Sequence, residues 1–339
     1  MNITSVTNGF PSKDILRFDI LLGNICNYKC YYCSPEFNGG TDEWIDLDLF
    51  KKNVTHMINY YKEHTTKKKF DFYFIGGEPT HWKKLPELCI WLKENFDCMI
   101  NMSSNGSKKL SYWEKIAPYF NRVTLSVHNE YVDIKHFRDV CDLLYKNNVI
   151  VSVSTMMDPR PGEWEKCMGY VDYMLGSKYK WTIRYVEITG HGIVYSPEQI
   201  EVMSRHKARS VNVFFFLKNN KHYISRVRVV DEEGKTHKLK DNEVLLRKLN
   251  NFYDWNCGLG VDWVSISRTG RISGTCGQLL YGEDKHYNFY SDNFLEEFQP
   301  KIQYARCTQT ACTCGIETIM PKFKDPDSKK IIPIYVNRY

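Results

Sequence analysis

Short strand-like runs alternate with helical patterns from about residue 16 to residue 190, and this alternation restricts the possible folds more than any other feature. Such alternation is typical of βα units, in which helices join parallel strands. It predicts six strands, at residues 16–22, 70–75, 98–103, 122–127, 149–155 and 181–188. Three intervening segments place apolar side chains on one helical face. These faces are Phe50, Val54, Met57, Ile58 and Tyr61; Leu85, Leu88, Leu92 and Phe96; and Trp164, Met168, Val171 and Leu175.

Polar and apolar side chains alternate along these strands, whereas parallel strands covered on both faces are apolar almost throughout. Ser126 stands between Leu125 and Val127, and Ser152 and Ser154 flank Val153. A period of two indicates that helices cover one face and that the other curls around a polar space. We therefore predict an α/β fold, a partial (β/α)6 TIM-type barrel with a small C-terminal β-hairpin/α domain. A half-buried antiparallel sheet is the alternative, although intervening helices argue against it.

Three cysteines, Cys26, Cys30 and Cys33, follow the first predicted strand with the spacing C-x3-C-x2-C, and Tyr32 precedes the last. Cysteine thiolates hold iron-sulfur clusters and normally supply four ligands, so three ligands on a four-iron cluster leave one iron open. A zinc site is the alternative, although structural zinc sites usually close four positions with two ligand pairs. A disulfide framework fits less well, because a chain of 339 residues can bury its own core.

This cysteine spacing, with its aromatic residue, resembles the defining motif of the radical S-adenosylmethionine (SAM) superfamily. By this resemblance, Cys26, Cys30 and Cys33 hold a 4Fe-4S cluster and are the catalytic centre, and SAM (S-adenosyl-L-methionine) chelates the open iron. Tyr32 is assigned to cofactor binding. The resemblance implies reductive cleavage of SAM to a 5'-deoxyadenosyl radical that takes hydrogen from a substrate. It also implies a flavodoxin- or ferredoxin-type electron donor.

Two further motifs follow the second and third predicted strands. Gly76-Gly77-Glu78-Pro79 alone is an ordinary turn, but at this place it is similar to the family's GGE motif, which binds the amino group of the SAM methionine. We expect Glu78 at the surface of the lumen, where it contributes little to the core. Ser104-Asn105-Gly106 is similar to the family's Thr-Asn-Gly signature. By resemblance, Ser104 and Ser126 contact the methionyl or ribose part of SAM.

The inward-facing residues at the strand ends are candidates for binding the cofactor or the substrate. They are His128, Ser152, Ser154, Arg184 and Glu187, of which we assign Ser154 and Arg184 to the cofactor. Arg184 suits a carboxylate or phosphate because its guanidinium binds bidentately; pairing with Glu187 is the alternative. His191 is either a loop acid/base or an exposed residue.

Five further cysteines lie towards the C-terminus: Cys257, Cys276, Cys307, Cys312 and Cys314. The segment from Cys257 to Cys276 resembles the opening of the twitch or SPASM domain, which implies a second, auxiliary 4Fe-4S cluster. Five thiols serve one fully ligated cluster and leave one spare, which we assign to Cys307. A structural zinc held by the other four is the alternative. We predict that Cys89, Cys98, Cys141 and Cys167 are buried core thiols.

These patterns divide the chain into a barrel (residues 1–190), a hairpin-rich connection (191–255) and an auxiliary-cluster domain (256–339). The connection contains residues 211–217 and 222–230 and a turn at Glu232-Glu233-Gly234. The N-terminus lacks an apolar signal-peptide segment and no run approaches ~20 apolar residues, so we expect no membrane span. Free thiols are kept in reducing compartments, so we expect a cytoplasmic location.

We therefore expect an enzyme that abstracts hydrogen from a small polar substrate: an amino-acid derivative, a sugar, or a nucleotide or modified nucleobase. The sequence leaves no room for a leader-binding module of the kind found in peptide-modifying relatives, but a separate protein can supply one, so a peptide-modifying (RiPP-type) maturase acting on a modified residue is an alternative. A non-catalytic zinc or iron-sulfur protein is another. The net charge of +6 is too mild to establish nucleic-acid binding, which is not excluded.

Overall fold

The computed structural model describes residues 2–7, 14–40, 44–178, 181–188, 192–205, 226–240, 244, 247–273, 286–312 and 320–324. These residues form two compact units, each discontinuous in sequence. Unit 1 comprises residues 1–20, 46–71 and 217–339, and unit 2 comprises residues 21–45 and 72–216. No helix in the described ranges is long and apolar enough to cross a membrane.

The secondary structure follows the chain in this order. The strands are β1 (Ile3–Thr7), β2 (Ile15–Leu21), β3 (Lys69–Ile75), β4 (Cys98–Ser104), β5 (Arg122–Val127), β6 (Ile150–Met157), β7 (Thr182–Glu187), β8 (Arg226–Asp231), β9 (Thr236–Lys240), β10 (Asn256–Cys257), β11 (Trp263–Ile266), β12 (Arg271–Ser273), β13 (Tyr287–Asn288), β14 (Ala305–Arg306) and β15 (Lys322–Phe323). The α-helices are α1 (Pro35–Asn38), α2 (Leu47–His64), α3 (Leu85–Asn95), α4 (Leu110–Ile116), α5 (Ile134–Lys146), α6 (Glu163–Leu175), α7 (Pro197–Arg205) and α8 (Phe294–Glu297). Short 3-10 helices cover Pro79–His81 and Ala117–Tyr119.

The six strands predicted from the βα alternation are all present, as β2 to β7, with ends within two residues of the prediction. In unit 2, β4, β5, β6 and β7 lie side by side in this order and pair in parallel. Neighbours in sequence are therefore neighbours in the sheet, as is usual when short connections join consecutive strands. The described sheet does not close on itself, which agrees with an α/β partial barrel.

The register of the parallel strands confirms that one face of the sheet in unit 2 is polar. Ser103 aligns with Thr124, Thr124 with Ser152, and Ser152 with Thr182. Aligned residues of neighbouring strands share a face, so these side chains form a row. The opposite face is apolar, since Leu125 and Val153 are aligned and fully buried.

Unit 1 contains a six-stranded sheet in the order β14-β10-β15-β1-β8-β9. Strands β8 and β9 form an antiparallel hairpin around the predicted Glu232-Glu233-Gly234 turn, where Gly234 has a φ of +79°. This confirms the predicted turn, whereas the division of the chain at residues 190 and 255 stays a prediction. Residues 211–217, also assigned to that connection, and His191 lie outside the described residues.

The sequence did not predict that β11 pairs in parallel with β2 inside unit 1. Trp263 on β11 donates its indole N–H to Asp19 at 2.8 Å, and the Arg17 guanidinium lies 4.0 Å from the same indole ring. Asp19 and Arg17 are both buried and joined at 3.0 Å. A buried carboxylate needs such donors because an unpaired charge away from water is costly.

One predicted helical face is confirmed in full and two in part. On α2, the five predicted residues are all buried. On α3, Leu85, Leu88 and Leu92 are buried, whereas Phe96 lies just beyond the helix and is half-buried. On α6, the fully buried residues are Cys167, Val171 and Met174, so the buried face is rotated from the predicted one. Trp164 and Met168 are only partly buried there. Hydrophobicity identified the helix but overestimated how far these larger side chains are covered.

Candidate active site

The cysteine loop (residues 26–33) follows β2 after a short connecting segment, and this segment lies against the turn that follows β3. The backbone N–H groups of Gly77 and Glu78 donate to the carbonyls of Gly23 and Ile25, respectively, each at 2.8 Å, in the segment between β2 and Cys26. A Cβ atom on Gly77 would overlap the Ile25 carbonyl. The two glycines of the predicted motif are therefore required for close backbone approach beside Cys26.

Glu78 is buried at the centre of this contact, with only 1% of its surface exposed. Its Oε1 accepts from the Thr80 amide at 3.1 Å, the Thr80 hydroxyl at 2.6 Å and the Ser104 hydroxyl at 2.7 Å. Its Oε2 accepts from the Asn105 amide at 2.6 Å. Burial raises the pKa of this carboxyl, although the hydrogen bonds act in the opposite direction. The expectation that Glu78 lies at the surface and contributes little to the core was wrong.

Asn105 connects the turn after β4 to the cysteine loop. Its side-chain amide donates to Asn27 Oδ1 at 2.9 Å and lies 3.9 Å from Cys26 Sγ, and its own oxygen accepts from the Ser107 amide at 3.0 Å. The Cys26 sulfur also accepts from the Tyr28 amide at 3.4 Å. The Ser-Asn-Gly turn therefore braces the first cysteine.

Tyr32 and His128 form a half-buried pair at the end of β5. The Tyr32 hydroxyl lies 2.7 Å from His128 Nδ1, and the two rings are close to parallel. Burial lowers the pKa of His128 to about 4, so the imidazole is neutral at pH 7. The predicted aromatic residue of the motif is thus held in place by one of the predicted inward-facing residues.

Sequence reasoning missed Glu130 and Tyr131 in the loop after β5 and Arg160 in the loop after β6. Glu130 accepts from the Tyr31 amide at 3.3 Å, and the Tyr131 hydroxyl donates to the Lys29 carbonyl at 3.0 Å. The Arg160 guanidinium lies 4.1 Å from the centre of the Tyr31 ring. No sequence motif marks these residues, and only their position after parallel strands could have indicated them.

The three thiols of the cysteine loop are shielded from water to different degrees. Cys30 is buried and Cys26 and Cys33 are half-buried, and burial raises the pKa of all three, that of Cys30 to about 12. Among the described residues, no three His, Cys, Asp or Glu side chains converge on one metal position. A cluster does not need such convergence, since each thiolate binds a different iron.

Three of the predicted polar residues form one row across neighbouring strands. Ser126 aligns with Ser154, and Ser154 with Arg184, whose guanidinium donates to the Ser154 hydroxyl at 3.1 Å. Ser104 aligns with Leu125 and so belongs to the other face, where its hydroxyl is used by Glu78. The register therefore separates Ser104 from Ser126.

Two other candidates differ in placement. Ser152 is buried on the same polar face as Ser154, two residues away along β6. Glu187 is three residues from Arg184 on β7, so their side chains point to opposite faces. The placement of Glu187 among the inward-facing residues and its alternative role as a partner of Arg184 were therefore wrong, because the alternation was not followed to the strand end.

In unit 1, the described C-terminal cysteines are buried near one another in the fold. Cys307 and Cys312 belong to one apolar cluster with Phe252 and Trp255. Cys257 aligns with Ala305, and the Cys307 amide just beyond β14 donates to the Trp255 carbonyl at 2.8 Å, so the pairing continues and Cys257 and Cys307 share a face. Cys276 and Cys314 lie outside the described residues. Of the predicted core thiols, Cys89, Cys141 and Cys167 are buried, and Cys98 is half-buried.

Comparison with known proteins gives one family and a set of distant relatives. Residues 20–163 match the family model described as Radical SAM superfamily. A protein named "Probable GTP 3',8-cyclase" from Saccharolobus islandicus (strain L.S.2.15 / Lassen #1) is 27% identical over 155 residues, which cover 44% of this chain and 45% of the relative. Proteins of the same name from two further strains match equally. The chain thus spans less than half the length of the curated relatives it matches.

Two solved structures are similar at low identity. The structure "Native anSMEcpe with bound AdoMet" has a TM-score of 0.49 at 17% identity, covering 83% of this chain and 81% of that chain. "Crystal structure of Streptococcus suis SuiB" has a TM-score of 0.49 at 13% identity, covering 86% of this chain and 67% of that chain.

Proposed function

Because residues 20–163 match the family model described as Radical SAM superfamily, we propose that this chain is an enzyme that uses SAM radical chemistry on a small polar substrate. Cys26, Cys30 and Cys33 would hold a 4Fe-4S cluster with one open iron. When bound, the cluster and SAM supply a 5'-deoxyadenosyl radical that abstracts hydrogen from the substrate. The observation that carries the proposal is the placement of three thiols on one loop, braced by the Gly-Gly-Glu and Ser-Asn-Gly turns.

The residues around the cysteine loop would bind SAM and orient it. Glu78 Oε2 accepts only one described hydrogen bond, and a carboxylate oxygen has two lone pairs, so it keeps the capacity to accept from an ammonium group such as that of SAM. Tyr32, with its ring fixed by His128, would flank the cofactor. Holding reactants in one geometry is the main contribution that such residues make to a cofactor's chemistry.

The polar row would form one wall of the reaction space. Ser126 and Ser154 supply hydroxyls, and Arg184 supplies a cation suited to a carboxylate or phosphate group. An anionic small molecule, such as an amino-acid derivative or a nucleotide, fits this chemistry. The curated relatives' name refers to GTP, which supports a nucleotide among these substrates.

We also propose an auxiliary 4Fe-4S cluster in unit 1, held by four of Cys257, Cys276, Cys307, Cys312 and Cys314. Its support is the burial of three of these thiols, two of them on one face of the β10–β14 pair. Cys307 and Cys312 share a cluster of buried side chains, so burial does not single out Cys307 as the spare thiol. A flavodoxin- or ferredoxin-type protein would supply the electron for reduction.

Metal analysis after anaerobic reconstitution tests this proposal. About eight irons with matching sulfide per chain are expected for two four-iron clusters, and about four for one. The variant Cys26→Ala, Cys30→Ala, Cys33→Ala should lose about four irons, and Cys312→Ala, Cys314→Ala the other four. Two tightly bound zinc ions without visible absorbance would instead support a non-catalytic zinc protein.

A further inference from the structure

Each residue between the three cysteines has a partner outside the cysteine loop (residues 26–33). All of these partners belong to unit 2 and lie after β4, β5 or β6. Asn105 binds Asn27, Tyr131 contacts Tyr28 and Lys29, Glu130 and Arg160 contact Tyr31, and His128 binds Tyr32. The loop is therefore shaped by the protein itself.

Arg160 joins three separate segments at this loop. Its guanidinium donates to the Asp158 carboxylate at 2.6 and 3.0 Å and lies 3.7 Å from Glu130 Oε1. The same planar group covers the Tyr31 ring at 4.1 Å, while Glu130 holds the Tyr31 amide. One residue thus fixes both the side chain and the backbone of Tyr31, directly and through Glu130.

The Asp158 carboxylate makes this arrangement rigid. Its side chain is fully buried, whereas that of Arg160 is 49% exposed. Asp158 therefore anchors one edge of the guanidinium and leaves its face free to stack. A lysine in place of Arg160 would keep the positive charge but lose the planar stacking group and the two-point contact.

We propose that Arg160 is a positioning residue that holds the cysteine loop in its cluster-binding shape before any cluster is bound. Preorganisation of this kind lowers the ordering cost of binding, because the loop does not have to be immobilised at that moment. The inference rests on the proposed function, since it assigns the shape of the loop to cluster binding. It concerns the apo protein and is tested there first.

The variant Arg160→Lys and its control Arg138→Lys provide a matched pair. Arg138 also stacks on a tyrosine, with its guanidinium 4.8 Å from the Tyr173 ring, and it bonds the Tyr173 carbonyl at 3.3 Å. It lies on α5 and has no described contact with residues 26–33. Tyr131→Phe is a second test variant, because it removes only the hydroxyl that binds Lys29 on a residue that is 43% exposed.

Hydrogen–deuterium exchange of the full-length apo protein measures the order of the cysteine loop. The Tyr31 and Cys33 amides, both hydrogen-bonded in the structure, should be protected in the wild type. In Arg160→Lys they should exchange about tenfold faster, equivalent to about 1.4 kcal/mol. Arg138→Lys should leave the exchange rates of these amides unchanged. Tyr131→Phe should speed the exchange of the Lys29 amide and of its neighbours. Unprotected amides in the wild type, or equal effects of the two arginine variants, would overturn the proposal.

Cluster retention separates positioning from a general loss of stability. After anaerobic reconstitution, chelator should bleach the cluster absorbance of Arg160→Lys several-fold faster than that of Arg138→Lys, while the apo melting temperatures of the two variants stay alike. Equal bleaching rates with a lower melting temperature would show that Arg160 is only structural. A wild-type chain that takes up no iron would contradict the proposed function, whereas amide exchange still decides by itself whether Arg160 orders the loop.

Discussion

Glu78 shows how a motif residue can be identified correctly and yet be assigned too narrow a role. The sequence indicated a carboxylate beside the cofactor, but the structure gives it four hydrogen bonds from its own chain and almost complete burial. The donors come from Thr80, Ser104 and Asn105, so the same carboxylate orders two turns. Spacing identified the residue, while the contacts depend on residues brought together by folding.

We predict that Glu78→Gln destabilises the apo protein as well as weakening SAM binding. The new amide N–H2 would face N–H and O–H donors, and an unsatisfied buried group costs about 1–3 kcal/mol. Urea unfolding should show this loss, and Glu114→Gln, on the exposed face of α4, should change stability by less than about 0.5 kcal/mol. Unchanged stability of Glu78→Gln would contradict the central position assigned to this residue.

The lowered pKa of His128 predicts that the stability of the fold depends on pH. Its folded pKa is about 4, below the ordinary value of 6.5, so the unfolded chain binds a proton between these values and the folded chain does not. The contribution of neutral His128 to the free energy of unfolding is complete above pH 6.5 and is lost as pH falls towards 4. The wild type should lose about 2 to 3 kcal/mol more than His128→Gln between pH 7 and pH 4.5.

Urea unfolding of the apo protein at both pH values measures this difference. His64→Gln, at an exposed position on α2, serves as the control and should follow the wild type. Parallel pH profiles of the wild type and His128→Gln would mean that His128 is not held neutral by burial.

At the scale of elements, the turn after β3 determines how closely the cysteine loop can approach. Gly77→Ala would place a methyl group on the Ile25 carbonyl, with backbone on both sides, so the loop would have to move. We expect the free energy of unfolding to fall by about 1–3 kcal/mol, as for overpacking in a core, and iron uptake to fall several-fold. Iron content and urea unfolding measure the two effects.

Gly169→Ala is the matched control for Gly77→Ala. Gly169 lies within α6, and a Cβ atom there would meet nothing within 4 Å. Alanine favours helix by about 0.5–1 kcal/mol over glycine, so this variant should be slightly more stable and should take up iron normally. If both variants behave alike, the close approach at Gly77 is not what shapes the site.

Strands and helices were predictable where polar and apolar residues alternate along the sequence in a way that reflects burial. The alternation of strand-like and helical segments identified all six strands, and the period of two along the strands identified their polar face. The pairing of β11 with β2 was not predictable, since it depends on residues more than two hundred positions apart. The buried Trp263–Asp19 contact gives no local pattern either.

At the scale of the whole molecule, the two units differ in how much the sequence revealed. In unit 2, the cysteine spacing and two turns located the candidate site, but Glu130, Tyr131 and Arg160 had no motif to mark them. In unit 1, the described thiols are buried, and their purpose stays a prediction. Motifs therefore specify reacting groups, while the residues that hold them depend on topology.

The central claim is that the thiols of the cysteine loop support reductive cleavage of SAM. The most direct test measures 5'-deoxyadenosine after anaerobic reconstitution, with SAM and a strong reductant. The wild type should form it, and so should the control Cys89→Ala, Cys141→Ala, which alters only buried core thiols. The variant Cys26→Ala, Cys30→Ala, Cys33→Ala should form none. Equal amounts of 5'-deoxyadenosine from this variant and the wild type would contradict the account.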